Sequence, residues 1–145
     1  MRRRTPPHST SFTAMIAKQV CSPAVAQTLK ELGVPQESLW YWVASRRRQY
    51  PLLCSAAEVT AMPLFHRVAV AAFTVGELGE LLPSTIEQHD AVLHWRCEKS
   101  SRGFTVAYVG ARGDQQTRLE RKAPSEAEAR AQMLLCLLEH ALYTP

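Results

Sequence analysis

The clearest periodic signal lies between residues 91 and 121, where apolar and polar positions alternate. Ala91, Leu93, Trp95 and Cys97 fall on one face of a strand, with Val92, His94, Arg96 and Glu98 on the other. Lys99-Ser-Ser-Arg-Gly103 supplies a hairpin loop with glycine at its end. Phe104, Val106 and Tyr108 continue the apolar face on a second strand. Gly110 to Gln115 form a second turn, and Thr117 to Arg121 a third strand. Only Leu119 is strongly apolar there, which puts this strand at a sheet edge, where charge discourages pairing with other chains.

Helical patterns flank this meander. Thr74 followed three positions later by Glu77 predicts a capping box, with Phe73 stapling Leu78 and Pro83 closing the helix after about two turns. Ser125 and Glu128 predict a second capping box. It opens the longest helix, which runs to about Leu142 with Ala127, Ala131, Leu134, Leu135, Leu138 and Leu142 as its apolar stripe. Gly76 and Gly79 inside the shorter helix cost about 1 kcal/mol each relative to alanine. Close approach of another backbone would account for both, and an exposed functional groove is the alternative. The expected core is α+β, a three-stranded antiparallel meander flanked by a short and a long helix (α-β-β-β-α), with a helix-strand extension before it.

In the extension, Ser22-Pro23 predicts a helix start, Val25, Leu29 and Leu32 its apolar face, and Gly33 and Pro35 its end. Leu39-Trp-Tyr-Trp-Val43 reads as a short strand. Arg46-Arg47-Arg48, Gln49, Tyr50 and Pro51 read as an exposed turn. Leu52 to Pro63 is ambiguous, with Ser55 and Glu58 able to cap one helical turn, and Leu64 to Ala72 reads as a strand or an extended lead-in. The chain divides into a loose basic tail (residues 1–20), the helix-strand extension (21–63) and the core (64–145).

Composition narrows the classes. The chain has 145 residues, 46% of them hydrophobic, which is enough for a core that needs neither disulfide nor metal. No apolar run approaches the roughly 20 residues that span a bilayer. Arg2, Arg3 and Arg4 are followed by Thr5-Pro-Pro-His-Ser-Thr-Ser and not by an apolar run, so a secretory signal is not expected. Cys21, Cys54, Cys97 and Cys136 are widely spaced, form no Cys-x-x-Cys pair, and read as reduced thiols of a cytoplasmic protein. The net charge is +4, but without Arg2, Arg3 and Arg4 the balance is 14 basic to 13 acidic residues, so the body is nearly neutral. The high pI is therefore a weak argument for nucleic acid.

Candidate chemistry is sparse. The best nucleic-acid candidate is Arg46, Arg47 and Arg48 beside Trp40, Tyr41, Trp42 and Tyr50, since guanidinium groups hold phosphate while aromatic rings stack on bases. The competing reading packs Trp40 and Trp42 inward and leaves the arginines as a solvated turn. Double-stranded RNA-binding domains share the α-β-β-β-α order, but Glu126 and Glu128 at the start of the last helix would repel phosphate, so that likeness is topological only. His89-Asp90 reads as a turn or surface pair. His94 and Cys97 point to opposite faces of one strand, which disfavours a dyad, and Cys136 reads as a small core residue. No glycine-rich phosphate loop or metalloprotease motif is present, and no catalytic residue, metal or cofactor is assigned.

Leu-Gly-Val-Pro at 32–35, Leu39-Trp-Tyr-Trp, residues 72–83 (Ala-Phe-Thr-Val-Gly-Glu-Leu-Gly-Glu-Leu-Leu-Pro) and residues 128–139 together resemble a group of small uncharacterised proteins encoded by bacterial prophages and related mobile elements. The resemblance spans roughly residues 29 to 142 and carries no catalytic or ligand residues. It implies a bacterial cytoplasmic setting and an accessory or protein-interaction role, with a protein partner or self-association. Nucleic-acid binding through Arg46–Arg48 and the basic tail is the alternative. The Arg- and Pro-rich start departs from what the group leads one to expect.

Overall fold

The capping signals hold the architecture in place. A computed structural model describes residues 9–66, 68–111 and 118–144. The element order is α1 (Ser9–Ala17), α2 (Pro23–Glu31), β1 (Trp40–Val43), β2 (Leu52–Ser55), α3 (Ala56–Ala61), α4 (Pro63–His66), β3 (Ala69–Ala71), α5 (Val75–Leu81), β4 (Thr85–Gln88), β5 (Ala91–Ser100), β6 (Gly103–Gly110), β7 (Arg118–Ala123) and α6 (Glu126–Glu139). The fold is mixed α+β. It has two antiparallel sheets, a three-stranded one in the order β2-β1-β3 and a four-stranded one in the order β4-β5-β6-β7.

The larger sheet has one strand more than the expected meander. Thr85–Gln88 forms β4, paired with β5 from Thr85↔His94 to Gln88↔Ala91. Its turn is His89-Asp90, with φ of 50° and 62° at the two residues. Two consecutive left-handed residues make a primed hairpin turn, whose usual sequence signal is Asn-Gly or Asp-Gly. Neither residue is glycine, so the turn reading of His89-Asp90 stands without the usual hairpin signal, and the strand before it is not marked in the sequence. The other hairpin behaves as expected. Gly103 has φ of 128°, and a side chain there would collide with the Ala123 carbonyl. The turn expected at Gly110 to Gln115 lies largely outside the described residues, as does Thr117.

The loose tail expected over residues 1–20 is corrected in its second half. Ser9–Ala17 is helical, and Val20 is buried and bridges Thr74. Phe12, Met15 and Ile16 recur at helical spacing, a signal masked by the basic, Pro-rich opening. Arg2, Arg3 and Arg4 lie outside the described residues. In the ambiguous stretch, Ser55 and Glu58 form a full capping box for α3, and Ala69–Ala71 is a strand.

One main core joins the elements. Leu78, Leu93, Val106, Tyr108, Leu134 and Leu137 are buried together, with Trp95, Phe104, Leu119 and Leu138 packed against them. Of the expected α6 stripe, Ala127, Ala131 and Leu134 are buried, Leu135 and Leu138 are half-buried, and Leu142 lies past the helix end at Glu139; Ala129, Met133, Cys136 and Leu137 are buried as well, because α6 packs on α2, α5, β6 and β7 at once. A smaller cluster of Val43, Cys54, Val59 and Ala69 lies under β1.

The two glycines of α5 are not explained by a neighbouring backbone. Gly76 faces open space, whereas a methyl group at Gly79 would lie 2.5 Å from Arg130 Nη1. Arg130 donates to the Val75 carbonyl at 3.2 Å and from Nε to Glu126 at 3.0 Å, and its guanidinium sits 5.3 Å from the Trp95 ring centre. Gly79 therefore makes room for an arginine that ties α5, α6 and the sheet together.

Two carboxylates anchor the N-terminal elements. Glu77 closes the Thr74 capping box and also accepts from Ser38 Oγ at 2.9 Å and the Leu39 N–H at 2.8 Å, so one side chain caps α5 and fixes the entry to β1. The expected box at Ser125 is half formed. Ser125 accepts from the Glu128 N–H, but the Glu128 carboxylate reaches the Ser22 N–H at 2.7 Å and Ser22 Oγ at 2.9 Å. It joins the start of α6 to the cap of α2.

Candidate interaction surface

The arginine loop follows from the β1–β2 pairing. Val43 and Leu52 close the paired stretch, which leaves residues 44–51 as the connection. Arg46, Arg47 and Arg48 are exposed, and none forms an ion pair with a described carboxylate. The Arg47 and Arg48 amides donate to Ser45 side-chain and main-chain oxygens, which folds the loop on itself. Tyr50, in the same loop, is 74% exposed.

The two tryptophans are not gathered with the arginines. Trp42 packs on the main core and donates from Nε1 to the Cys21 carbonyl at 2.8 Å. Trp40 pairs with Ser55 at the opposite end of β1, about 10 Å along the strand from Val43. Its ring is half-buried and meets Phe12 of α1 at 6.5 Å between centres. Of the proposed set, Arg46, Arg47, Arg48 and Tyr50 share one loop, and Trp40 belongs to another surface.

That other surface is apolar. Phe12 and Met15 are each 58% exposed one turn apart on α1, and Leu39, which precedes Trp40 in the chain, is 65% exposed. Of the nine large apolar residues exposed among the described ones, eight fall between Phe12 and Val68, and only Val92 lies beyond. The larger sheet has instead a charged outer face, where Arg96 pairs with Glu98 and Glu120 accepts from Arg118 and Lys122. The hydrogen bond from Lys122, first, holds the Glu120 carboxyl below its ordinary range.

The remaining polar groups are arranged for stability. Burial pushes the Cys21 thiol up to about 12 and raises Cys54, and burial together with the Glu126 carboxylate raises Cys97. Thiols act as nucleophiles only when ionised, so these are held in the unreactive form. Cys97 lies 3.7 Å from Glu126, while His94 is exposed on the opposite face of β5. His89 and Asp90 are turn residues. His140 caps the end of α6 through the Cys136 carbonyl, with the buried Cys136 sulfur 3.7 Å away. Among the described residues there is no group of three or more His, Cys, Asp or Glu side chains arranged to hold a metal ion, and no helix is long and apolar enough to cross a membrane.

Comparisons with protein-family models, with curated proteins and with solved structures give no match.

Proposed function

We propose that the chain is a non-catalytic interaction protein, a phage-type accessory factor of the cytoplasm that binds a protein partner through its N-terminal half. The observation that carries this reading is the uneven apolar exposure: among the described residues, eight of the nine exposed large apolar side chains lie between Phe12 and Val68, with the Phe12 ring against Trp40 and Met15 one turn further along α1. Contiguous apolar surface is costly to leave in water and marks partner sites. The partner is assigned no identity. A photo-crosslinking residue at Phe12 or Leu39 is expected to trap one defined protein in cells, which includes a second copy of the chain, while the same residue at Thr105 on the charged sheet face traps none. Equal crosslinking at all three positions would remove this reading.

A second reading, nucleic-acid binding, is supported by the exposed guanidinium groups of Arg46, Arg47 and Arg48 without carboxylate partners and by Tyr50 beside them. It predicts duplex affinity that falls with salt, with a log–log slope that shrinks by about 0.9 for each arginine changed to alanine. Binding that is unaffected by the triple substitution would end it.

A further inference from the structure

Strand β5 extends beyond its neighbour. It pairs with β6 from Leu93 to Ser100, but β4 covers it only from Ala91 to His94. The Trp95 N–H donates toward β4, to the Ser84 carbonyl at 3.0 Å. Main-chain groups of alternate residues in a strand point the same way, so the N–H and C=O of Cys97 and Lys99 also point to this side, where no strand follows among the described residues. The opposite edge of the sheet is treated differently. On β7, Arg118, Glu120 and Lys122 form a mixed-charge row, and Arg121 Nη1 donates to the Glu120 carbonyl at 2.7 Å. Charge and capping of this kind block strand addition. The edge of the smaller sheet at β3 is likewise capped, with the Ala69 carbonyl accepting from Lys30 and the Ala71 N–H donating to Gln36.

A cleft of about 540 Å³ is lined by Val75, Phe104 and Pro124 together with Lys18, Gln19 and the Ser125-Glu126 start of α6. Lys99 places its ammonium 5.7 Å from the centre of the ring of Phe104, its cross-strand neighbour on β6, so its side chain reaches a residue that lines the cleft. The charges here are unbalanced. Glu126 is engaged by Arg130 and Glu98 by Arg96, whereas Lys18, Lys99 and Arg102 have no described carboxylate partner.

We infer that the free edge of β5 at Cys97 and Lys99 accepts an extended acidic peptide segment as an added antiparallel strand, with an apolar side chain of that segment seated in the cleft formed by Val75, Phe104 and Pro124. Main-chain pairing supplies attachment and the cleft supplies selectivity, as in other strand-addition interfaces. The basic groups set the sign of the partner. This surface uses other residues than the Phe12, Met15 and Leu39 patch, so either can fail without the other.

The test is selection of displayed random heptapeptides on the intact chain, followed by titration of the enriched peptide in synthetic form. Enrichment of sequences with an apolar residue between acidic ones is expected, with binding weakened several-fold by 0.5 M salt and at least tenfold by K18E/K99E. N-methylation of the peptide amides that face the edge should weaken binding at least tenfold, and methylation of the intervening amides should leave it unchanged. That pattern identifies strand pairing without altering the protein. Failure to enrich acidic peptides, equal tolerance of both methylation sets, amide shifts that avoid Cys97 and Lys99, or occupation of the edge by a second copy of the chain would each overturn the inference.

Discussion

Gly79→Ala in α5 should destabilise the protein, although alanine is the better helix former. At an interior helix position the substitution alone gains about 1 kcal/mol. Here the new methyl group lies 2.5 Å from Arg130 Nη1, so the end of that side chain has to shift. That movement breaks its hydrogen bond to the Val75 carbonyl and loosens its contact with Trp95. A hydrogen bond from a charged donor contributes about 1.5 kcal/mol at the low end of its range, suited to a side chain that is still 17% exposed. The ring contact adds about 0.5 kcal/mol. The net expectation is a loss of about 1 kcal/mol, which makes the coupling between the two positions about 2 kcal/mol. Gly76→Ala is the internal control: its methyl group meets nothing within 4 Å, and it should gain about 0.5–1 kcal/mol. Urea denaturation followed by circular dichroism would measure G76A, G79A, R130M and G79A/R130M as a double-mutant cycle. In the R130M background, G79A should turn stabilising. If G79A stabilises the wild-type chain as much as G76A does, Arg130 is not held between α5 and Trp95 and the reasoning is wrong.

Replacing His89-Asp90 by Asn-Gly should raise stability by about 1 kcal/mol, read as an upward shift in Tm, because both positions have positive φ; no change would mean that the turn relaxes in solution. Glu128→Gln should cost about 1.5–3 kcal/mol, since an amide can accept from only one of the two Ser22 donors that the carboxylate serves, and hydrogen exchange should quicken at the start of α2 before it does in β6. The Cys21 thiol has its folded pKa raised from 9.0 to about 12, so its contribution to stability is complete below pH 9 and is lost as pH rises toward 12, at up to about 1.4 kcal/mol per unit. Cys21→Ala should flatten the beginning of that alkaline decline, leaving the later part to the raised Tyr108 hydroxyl; an unchanged profile would contradict the burial argument.

The sequence revealed helix starts more fully than contacts between distant residues. Ser22, Ser55, Thr74 and Ser125 all cap helices, because an N-cap is a local device written within four residues. The same locality limits what can be inferred about the partners of those caps. Glu128 has the spacing of a capping-box residue, yet it serves Ser22, 106 residues away, and only the folded chain brings the two together. Arg130 looks like a solvated helix residue until Trp95 and Gly79 surround it. β4 was hidden by a turn without glycine, and α1 by the Pro-rich residues before it. At the candidate site, the sequence showed Arg46 to Arg48 and Tyr50 as exposed but placed Trp40 beside them, because strand direction separates residues that are close in number. Phe12 and Met15 are hard to recognise as a surface patch in the sequence because the basic, Pro-rich opening before them carries the composition of a loose tail.

The central claim is that the N-terminal half carries a partner surface. Quantitative co-purification of the tagged wild-type chain against F12D/L39D, with both first matched for Tm, tests it most directly. A stoichiometric partner protein, or a second copy of the chain, that is retained by the wild type and reduced at least tenfold by the double substitution is the predicted result. A wild-type chain recovered as a monomer with no partner, or a partner retained equally by both proteins, would contradict it.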